Sequence, residues 1–588
     1  MQRSELVADI AVRRGFYWPS FEIYGGVGGF YDYGPLGTLT RRNIVEKWRR
    51  TFILPYQDIM IEIETPVIMP EAVFEASGHL EHFTDYIVTC QKCGRKFRTD
   101  HLIEEVLSQK GIRLSLEGLS GEQLDEIIAR YDIRCPACGG PLGKSEKFNL
   151  LFKTNIGPYA NEYGYLRPET AQGMFVAFPR LADYMGRKVP FGVAQIGRVG
   201  RNEISPRQGL IRLREFSQME IELFFDPQNP HCPYFAEVED MEVPIVPEEE
   251  VARGNTEPQF LTAREIVARG HANEWMAFFM ALSAKFLKEL GVPLERQKFL
   301  GKLPQERAHY SAKSYDQMVL TERFGWVEVS GHAYRTDYDL SRHSKYSGHE
   351  MYLERRLKEA REIEEVRVYP NPNALRERYG DRIGEVIKAI QKNSQTIAAS
   401  FSSGAERVEV EGYEITRDMV FLKREVRRTD VEKFIPHVVE PSFGLDRILY
   451  VVLESAAVVE DDRKYLRLPP DIAPITACVL PIVKRRDYVA IGADLARRLW
   501  RAGITALYDD EGTIGSRYAE CDEIGTPIAV TIDEMTPKDN TVTIRDRDSR
   551  RQIRIDIGKV VDFAVGIKAG GSFDEISRRL GGVLFKNA

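Results

Sequence analysis

The sequence predicts an α+β protein: an antiparallel sheet holding the principal site, interrupted by inserted modules and followed by a C-terminal α/β module. Three observations predict it. Between Phe191 and Leu223 two runs joined by a turn split by parity, and the second has a mostly apolar odd set. Two Cys-x-x-Cys pairs bracket a segment with a pattern of its own. From about residue 474 onward, short apolar runs alternate with helical ones. A chain of 588 residues, 43% hydrophobic and 29% charged, is long enough for several domains that bury cores without staples. Its net charge of −7, with 10 histidines uncounted, means that any nucleic acid would have to be held by local basic patches. The N-terminal MQRSELVADIAVRRG lacks a signal-peptide apolar run, and no stretch of about 18 apolar residues occurs, so the expectation is a cytoplasmic protein with no membrane partner.

Near the N-terminus, GGVGGFYDYGPLG (Gly25 to Gly37) lacks the Gly-Lys-Ser/Thr of a phosphate loop and the spacing of a dinucleotide fingerprint, so its glycines serve turns and close packing. TLTRRNIVEKWRRTFI follows as a helix. DIMIEIETPVIMP then alternates Ile59, Ile61 and Ile63 against Met60, Glu62 and Glu64, a half-buried strand. Pro66 closes it and places it near a sheet edge, because proline donates no ladder hydrogen bond.

Cys90-x-x-Cys93 and Cys135-x-x-Cys138 are each followed by glycine, as in knuckles that wrap a tetrahedral zinc ion with four thiolates. Four sulfurs leave no open coordination position, so the expected Zn²⁺ is structural. Residues 101 to 131 between the knuckles pattern as helix and turn, and 88–148 is therefore an inserted zinc ribbon. Cys232, Cys478 and Cys521 have no spacing logic and are expected as buried apolar residues.

The central stretch GRNEISPRQGLIRLREFSQMEIE packs Arg201, Arg207, Arg212 and Arg214 among Glu203, Glu215, Glu220 and Glu222. One strand is expected from Phe191 to Glu203. In the second, odd positions Ile211, Leu213, Met219, Ile221 and Leu223 are apolar, and even positions Arg212, Arg214, Phe216, Gln218, Glu220 and Glu222 are mostly polar. One face of this hairpin thus carries arginines, a ring and carboxylates. Residues 226–320 are expected as a helical insertion built on WMAFFMALSAKFLKEL. Residues 341–430 are expected as a helix-rich insertion, from ERRLKEAREIEEV and RIGEVIKAIQKN. HVVEPSFGLDRILYVVLE reads as a strand, a break, and a helix with Arg447 in its first turn. The unit 474–588 alternates ACVLPIV, ADLARRLWRAG, ITALYDD, YAECDEIG, PIAVTI and NTVTIRDRD. Forked guanidinium donors suit phosphate, and Phe216 among them suits a flat base, so the charged face describes a nucleotide site without a phosphate loop.

Arg201-Asn202-Glu203 with its loop and Arg212 resembles motif 2 of the class II aminoacyl-tRNA synthetases, Pro66 motif 1, and Gly444-Leu445-Asp446-Arg447 motif 3. YWPSFEIYGGVGGFYDYGP, EASGH, YLRPETAQGMF, RNEISPRQGLIRLREF, YRTDYDL, EPSFGLDR and IGSRYAECDEIGTP resemble glycyl-tRNA synthetases of the archaeal and eukaryotic dimeric type. The resemblance implies the class II fold over 1–473 and an anticodon-binding module over 474–588. It also implies glycine, ATP and tRNA(Gly) as partners, Mg²⁺ with the ATP, and a homodimer through motif 1. For ATP it implies Arg201, Asn202 and Glu203, the run Ile211, Arg212, Leu213, Arg214, Glu215 and Phe216, then Glu328 with Val329, and Gly444, Leu445, Asp446 and Arg447. Arg201, Glu203 and Arg447 would carry the chemistry, and Glu328 would be a Mg²⁺ ligand. For glycine it implies Glu169, the segment Phe216, Ser217, Gln218, Met219 and Glu220, and the segment Glu440, Pro441, Ser442, Phe443 and Gly444. Arg98 and Arg335 would be its carboxylate-side cations. Prolyl or threonyl relatives should lack EIYGGVGGFYDYGP, and a non-catalytic relative should have lost Arg201, Glu203 or Arg447. For tRNA, Lys484-Arg485-Arg486, Arg545, Arg547, Arg550 and Arg551, together with the 341–430 insertion, are the candidate contacts. A substrate without a side chain is selected sterically, so no editing domain is expected.

Overall fold

The computed structural model describes the chain except residues 1, 113, 115, 117, 159–161, 205, 207, 461, 462 and 586–588, so Arg207 of the charged stretch lies outside the described residues. The chain folds as two compact units, one of Met1–Met351 with Ile435–Ala588 and one of Tyr352–Phe434. No helix among the described residues is long and apolar enough to cross a membrane.

The larger unit is built on nine strands: β1 (Met60–Glu62), β2 (Phe191–Gly200), β3 (Glu215–Phe225), β4 (Glu242–Val246), β5 (Gln259–Thr262), β6 (Gln297–Gly301), β7 (Lys313–Thr321), β8 (Gly325–Thr336) and β9 (His437–Gly444). Their order is β5-β4-β6-β7-β8-β9-β3-β2-β1. Neighbours are antiparallel except β1 with β2 and β4 with β6. β1 is the edge strand that Pro66 called for. Helices α1 (Pro35–Phe52), α3 (Glu274–Glu289) and α4 (Leu445–Ala456) cover one face, where Phe443 of β9 meets Phe52 at 5.0 Å and Phe286 at 6.0 Å between ring centroids. Helix α2 (Ala171–Tyr184) covers only the β2–β3 corner of the other face, with Phe178 5.0 Å from Phe224. The rest of that second face is left for the site.

The β2–β3 hairpin pairs Phe191 with Phe224 through to Gly200 with Glu215. Both strands are shorter than the period-two pattern suggests. Arg201, Asn202 and Glu203 lie beyond β2, Ile211 ends a short 3-10 turn, and Arg212, Leu213 and Arg214 precede β3. From Ser217 to Phe225 every residue is buried, so parity here separates core face from site face rather than core from solvent.

Two expected insertions are corrected. Residues 226–320 are not a separate helical insertion, because they supply β4, β5, β6 and most of β7 to the same sheet. Helix α3 reads apolar nearly all round because it is buried nearly all round, from Trp275 to Leu287 with Lys285 alone exposed. In the second unit, ERRLKEAREIEEV is not helical. It lies in the strand Leu353–Pro370, paired with Val420–Phe434 on both sides of a register shift between Arg356 and Arg361. Its alternating charges fit a two-stranded ribbon as well as a helix, and pairing with a partner distant in sequence overrides local propensity. RIGEVIKAIQKN does form a helix, Ile383–Lys392, which packs Val386 and Ile390 with Leu375, Ile397 and Ile415.

The cysteine-bearing segment has three short strands, Thr84–Thr89, Lys96–Arg98 and Glu146–Asn149, and helices Thr99–Gln109 and Gly121–Arg130 over a small apolar core. The C-terminal sheet contains Ala477–Pro481, Ala506–Tyr508, Ile528–Ile532, Thr541–Asp546, Gln552–Asp556 and Val583–Phe585, parallel among the first three and antiparallel afterwards. Cys478 and Cys521 are joined by a disulfide there. They are buried, as expected, but paired as well, because helix Ile514–Glu523 packs on the strand that carries Cys478.

Candidate active site

On the open face of the sheet, strand register sets side chains in rows. One row runs Gln195, Glu220, Ser442, Gly331 and Asp316 across β2, β3, β9, β8 and β7. The neighbouring row sets Glu440 against Ala333, with Glu222 two residues beyond Glu220 on β3. Above these rows is a cavity of about 320 Å³, lined at one end by Glu169, Glu220, Glu440 and Ser442, and at the other by Arg201, Arg212, Phe216, Asp316, Glu328 and Arg447.

The first end is a cluster of carboxylates around one guanidinium. Arg335 has no exposed surface; it donates to Asp339 and Glu440 at 2.8 Å each and to Glu169 at 3.4 Å, and the Tyr310 ring lies 3.6 Å from its guanidinium carbon. Glu169 also accepts from Gln172 at 2.9 Å, and His79 stands 3.6 Å away. Burial pushes Glu169 up, but Arg335 and His79 outweigh it and hold the carboxyl well below the usual range. Glu220 accepts from the Thr170 amide at 2.7 Å, from the Thr170 hydroxyl, and from Ser442 at 2.6 Å. Burial and the nearby Glu169 raise it against those bonds. Burial takes Glu440 up to about 8 despite Arg335, with Glu220 and Glu169 adding to the rise. Neither oxygen of Glu222 has a hydrogen-bond partner, and burial beside Glu440 drives its carboxyl well above the usual range. Carboxyls thus outnumber the one guanidinium among them, and several keep their protons above the usual range until a cation comes near. The cluster is built to receive a small cation.

The second end offers cationic groups. Arg447 donates to the Ile211 carbonyl at 2.9 Å and reaches Glu328 at 3.2 Å, and Arg212 holds Glu203 at 2.7 Å. Arg201 is anchored on the Pro168 carbonyl at 3.1 Å, with its guanidinium carbon 5.3 Å from the Phe216 ring centroid. Burial and Glu328 push Asp316 up to about 7 against Lys302, which binds it at 2.9 Å. Burial also acts on Glu328, but Arg447 and Lys302 hold it below its ordinary value.

Several residues expected at the site lie behind it. Asp446 touches the cavity wall, but its carboxylate is spent on Tyr33, Arg41 and the Ser217 amide, pinning motif 3 to α1 and β3. Leu445, Met219 and Phe443 face the core. Asn202 is fixed through its backbone amide on Leu150 at 2.7 Å, Arg214 donates to Gly28 and Glu203 carbonyls, and Glu215 faces Arg198. Pro441 does not line the cavity. Arg98 is held by Asp85 and Asp100 at 2.8 Å each and does not line it either. Arg335 is enclosed by carboxylates, so it arranges them instead of offering itself to a ligand. Sequence reasoning missed Lys302, Tyr310 and Asp316, which sit in the stretch expected to be a helical insertion. EASGH, YLRPETAQGMF and YRTDYDL carried a signal for His79, Thr170, Gln172 and Asp339, the residues that hold the carboxylates.

The four cysteine sulfurs lie within 4.8 Å of one another, with Cys90 3.6 Å from Cys138 and Cys93 3.7 Å from Cys135. Tetrahedral ligands about 2.3 Å from zinc stand about 3.8 Å apart, so the set fits a closed zinc site. In the C-terminal module the expected basic clusters are partly structural. Arg545 is buried on Asp522 at 2.9 Å, and Arg547 is buried on the Leu468 and Gly525 carbonyls. Arg517 of IGSRYAECDEIGTP likewise ties Pro481 to Asp509.

A glycine–tRNA ligase of Aeropyrum pernix is 48% identical over 562 residues, covering 95% of this chain and 95% of the relative. The chain belongs to the glycine–tRNA ligase family. A second member, from Thermococcus gammatolerans, is 46% identical over 557 residues, covering 94% of this chain and 96% of that one. Residues 476–566 match the family described as anticodon binding domain. The crystal structure of the RNA binding domain of threonyl-tRNA synthetase from Cryptosporidium parvum Iowa II aligns over 97% of this chain and 98% of its own, with a TM-score of 0.50 at 14% identity. That likeness concerns the fold alone, which is the class II synthetase fold.

Proposed function

We propose that this protein ligates glycine to tRNA(Gly) in two steps. The glycine carboxylate attacks the ATP α-phosphorus, the bond to the bridging oxygen breaks, and pyrophosphate leaves with its electron pair. The resulting glycyl-adenylate then passes its acyl group to the terminal adenosine of the tRNA, with AMP leaving. The observation that carries this reading is the single floor with a carboxyl-rich pocket at one end and an arginine-lined one at the other. An amino acid with no side chain offers only its ammonium and carboxylate, and Glu169, Glu220, Glu440 and Ser442 suit the ammonium. Arg201 and Arg447 suit the phosphates, with Glu203 and Phe216 toward the base. No enzyme nucleophile is required, since positioning and fixed charge supply the catalysis.

Asp316 and Glu328 are an acidic pair in a phosphate site, and Asp316, raised by burial and then by Glu328, marks a place where a cation is welcome. These two would hold Mg²⁺, which when bound neutralises phosphate charge. The four cysteines would hold a structural Zn²⁺. We divide the chain into a catalytic unit over 1–473, carrying the zinc segment 88–148 and the compact insert 352–434, and an anticodon-binding module over 474–588. The working form is a homodimer in the cytoplasm, where charged tRNA is consumed. Amino-acid-dependent ATP–pyrophosphate exchange across all twenty amino acids tests the reading. Glycine alone should support exchange; proline or threonine doing so, or none, would overturn it.

A further inference from the structure

The row Glu220, Ser442, Gly331, Asp316 joins the two ends of the cavity, and one of its members has no side chain. Most strand glycines near the site are explained by packing. A Cβ at Gly197 would lie 2.0 Å from an Arg167 nitrogen, and one at Gly192 would lie 2.3 Å from the Met60 sulfur. At Gly331 a Cβ would meet no heavy atom within 4 Å, and its φ lies outside the left-handed range that favours glycine. Neither the protein's packing nor its backbone calls for glycine there. Yet the position lies on the cavity wall in mid-row, with Ser442 on one side and Asp316 on the other. Strands stand about 4.8 Å apart, so the row from Glu220 to Asp316 spans about 14 Å, and Gly331 lies between the cation-seeking end and the phosphate end.

We infer that Gly331 is the seat over which the substrate carboxylate meets the α-phosphate, and that its missing side chain lets the reacting atoms lie against the sheet backbone. The inference rests on the proposed ligase reaction and assigns it a positioning residue. Whatever requires the open space must enter the cavity from outside, because nothing in the protein occupies it. A methyl group at this point would lift the reacting atoms by about an ångström, and displacements of that size cost about a hundredfold in rate.

The test uses the full-length chain with Gly331→Ala, Gly331→Val and, as a matched control, Gly384→Ala, another open glycine, in the helix Ile383–Lys392. Gly331→Ala should keep the wild-type melting temperature and lose about 10²-fold in kcat/KM for glycine in pyrophosphate exchange. Gly331→Val should also lose the thermal stabilisation that a non-hydrolysable sulfamoyl analogue of glycyl-adenylate gives the wild type. Gly384→Ala should change neither. Exchange by Gly331→Ala within threefold of wild type overturns the inference, as does its failure to fold, which would mean the space is not open. Wild-type exchange with glycine tests the ligase reading separately: an active wild type beside an active Gly331→Ala sinks only the role of Gly331.

Discussion

Arg335→Met tests the electrostatics of the carboxylate cluster most directly. The guanidinium is wholly enclosed and makes contacts of 2.8, 2.8 and 3.4 Å to Asp339, Glu440 and Glu169. Methionine of similar length would leave those carboxylates buried without their cation. Removing one partner of a buried ion pair costs about 3–5 kcal/mol. The loss has a ceiling, because a stranded carboxyl can take up a proton, at about 1.4 kcal/mol per unit of pKa displacement. That sets the sign of the pH dependence. Without Arg335, the burial that now opposes it raises the folded-state pKa of Glu169 above its unfolded value. The penalty is then absent below the unfolded value near 4 and grows as pH climbs toward the new folded one. Melting of variant and wild type should therefore differ by several degrees at pH 8 and by much less at pH 5, and Arg335→Lys should recover part of the loss. An equal deficit at both pH values, or none at pH 8, would refute the reasoning that Arg335 is the charge on which the cluster depends.

Three further outcomes are expected. Arg201→Ala should lower pyrophosphate exchange by about 10²–10³-fold with little change in melting, since the side chain makes one hydrogen bond, to the Pro168 carbonyl, and otherwise rests on the Phe83 and Phe216 rings; undiminished exchange would remove it from the phosphate site. Elemental analysis should find one zinc per chain, lost in Cys93→Ser, while adenylate formation persists because the cysteines lie in a segment with its own core; a chain without zinc would refute the site. Asp316→Asn should raise the melting temperature at pH 8 but not at pH 4. Asp316 has its folded pKa raised to about 7, and the stability this brings is lost as pH rises through that value. The same variant should weaken Mg²⁺-dependent ATP binding, measured by calorimetry, and unchanged binding would free Asp316 of that role.

Much of this protein is local in origin. The spacing of four cysteines, the apolar parity of β3, the proline after β1 and the alternation of the C-terminal module each depend on neighbours within a few residues, and each is legible in the chain. Arg201, Glu203, Arg212, Phe216, Glu220 and Arg447 could likewise be named from motifs, because short stretches set them at strand ends and a helix start. Other features were invisible. Whether ERRLKEAREIEEV is helix or strand depends on its pairing with Val420–Phe434, far along the chain, and its charges fit either periodicity. The strands hidden in a stretch dominated by an apolar helix join the sheet only once β7 finds β8.

The sequence by itself determined which chemical groups are available and on which short elements they ride. Tertiary structure alone decided which of them face each other. Arg335 and Arg98 are both arginines near acidic residues in the chain, yet enclosure turns one into a cluster's central cation and pairing with Asp85 and Asp100 leaves the other outside the cavity. Arg545 and Arg547 look like an RNA-binding pair, and burial on Asp522 and two carbonyls makes them struts. The reason is physical: a charge's role is set by its distance to other charges and by the loss of water around it, and both follow from strand register and burial across the sheet.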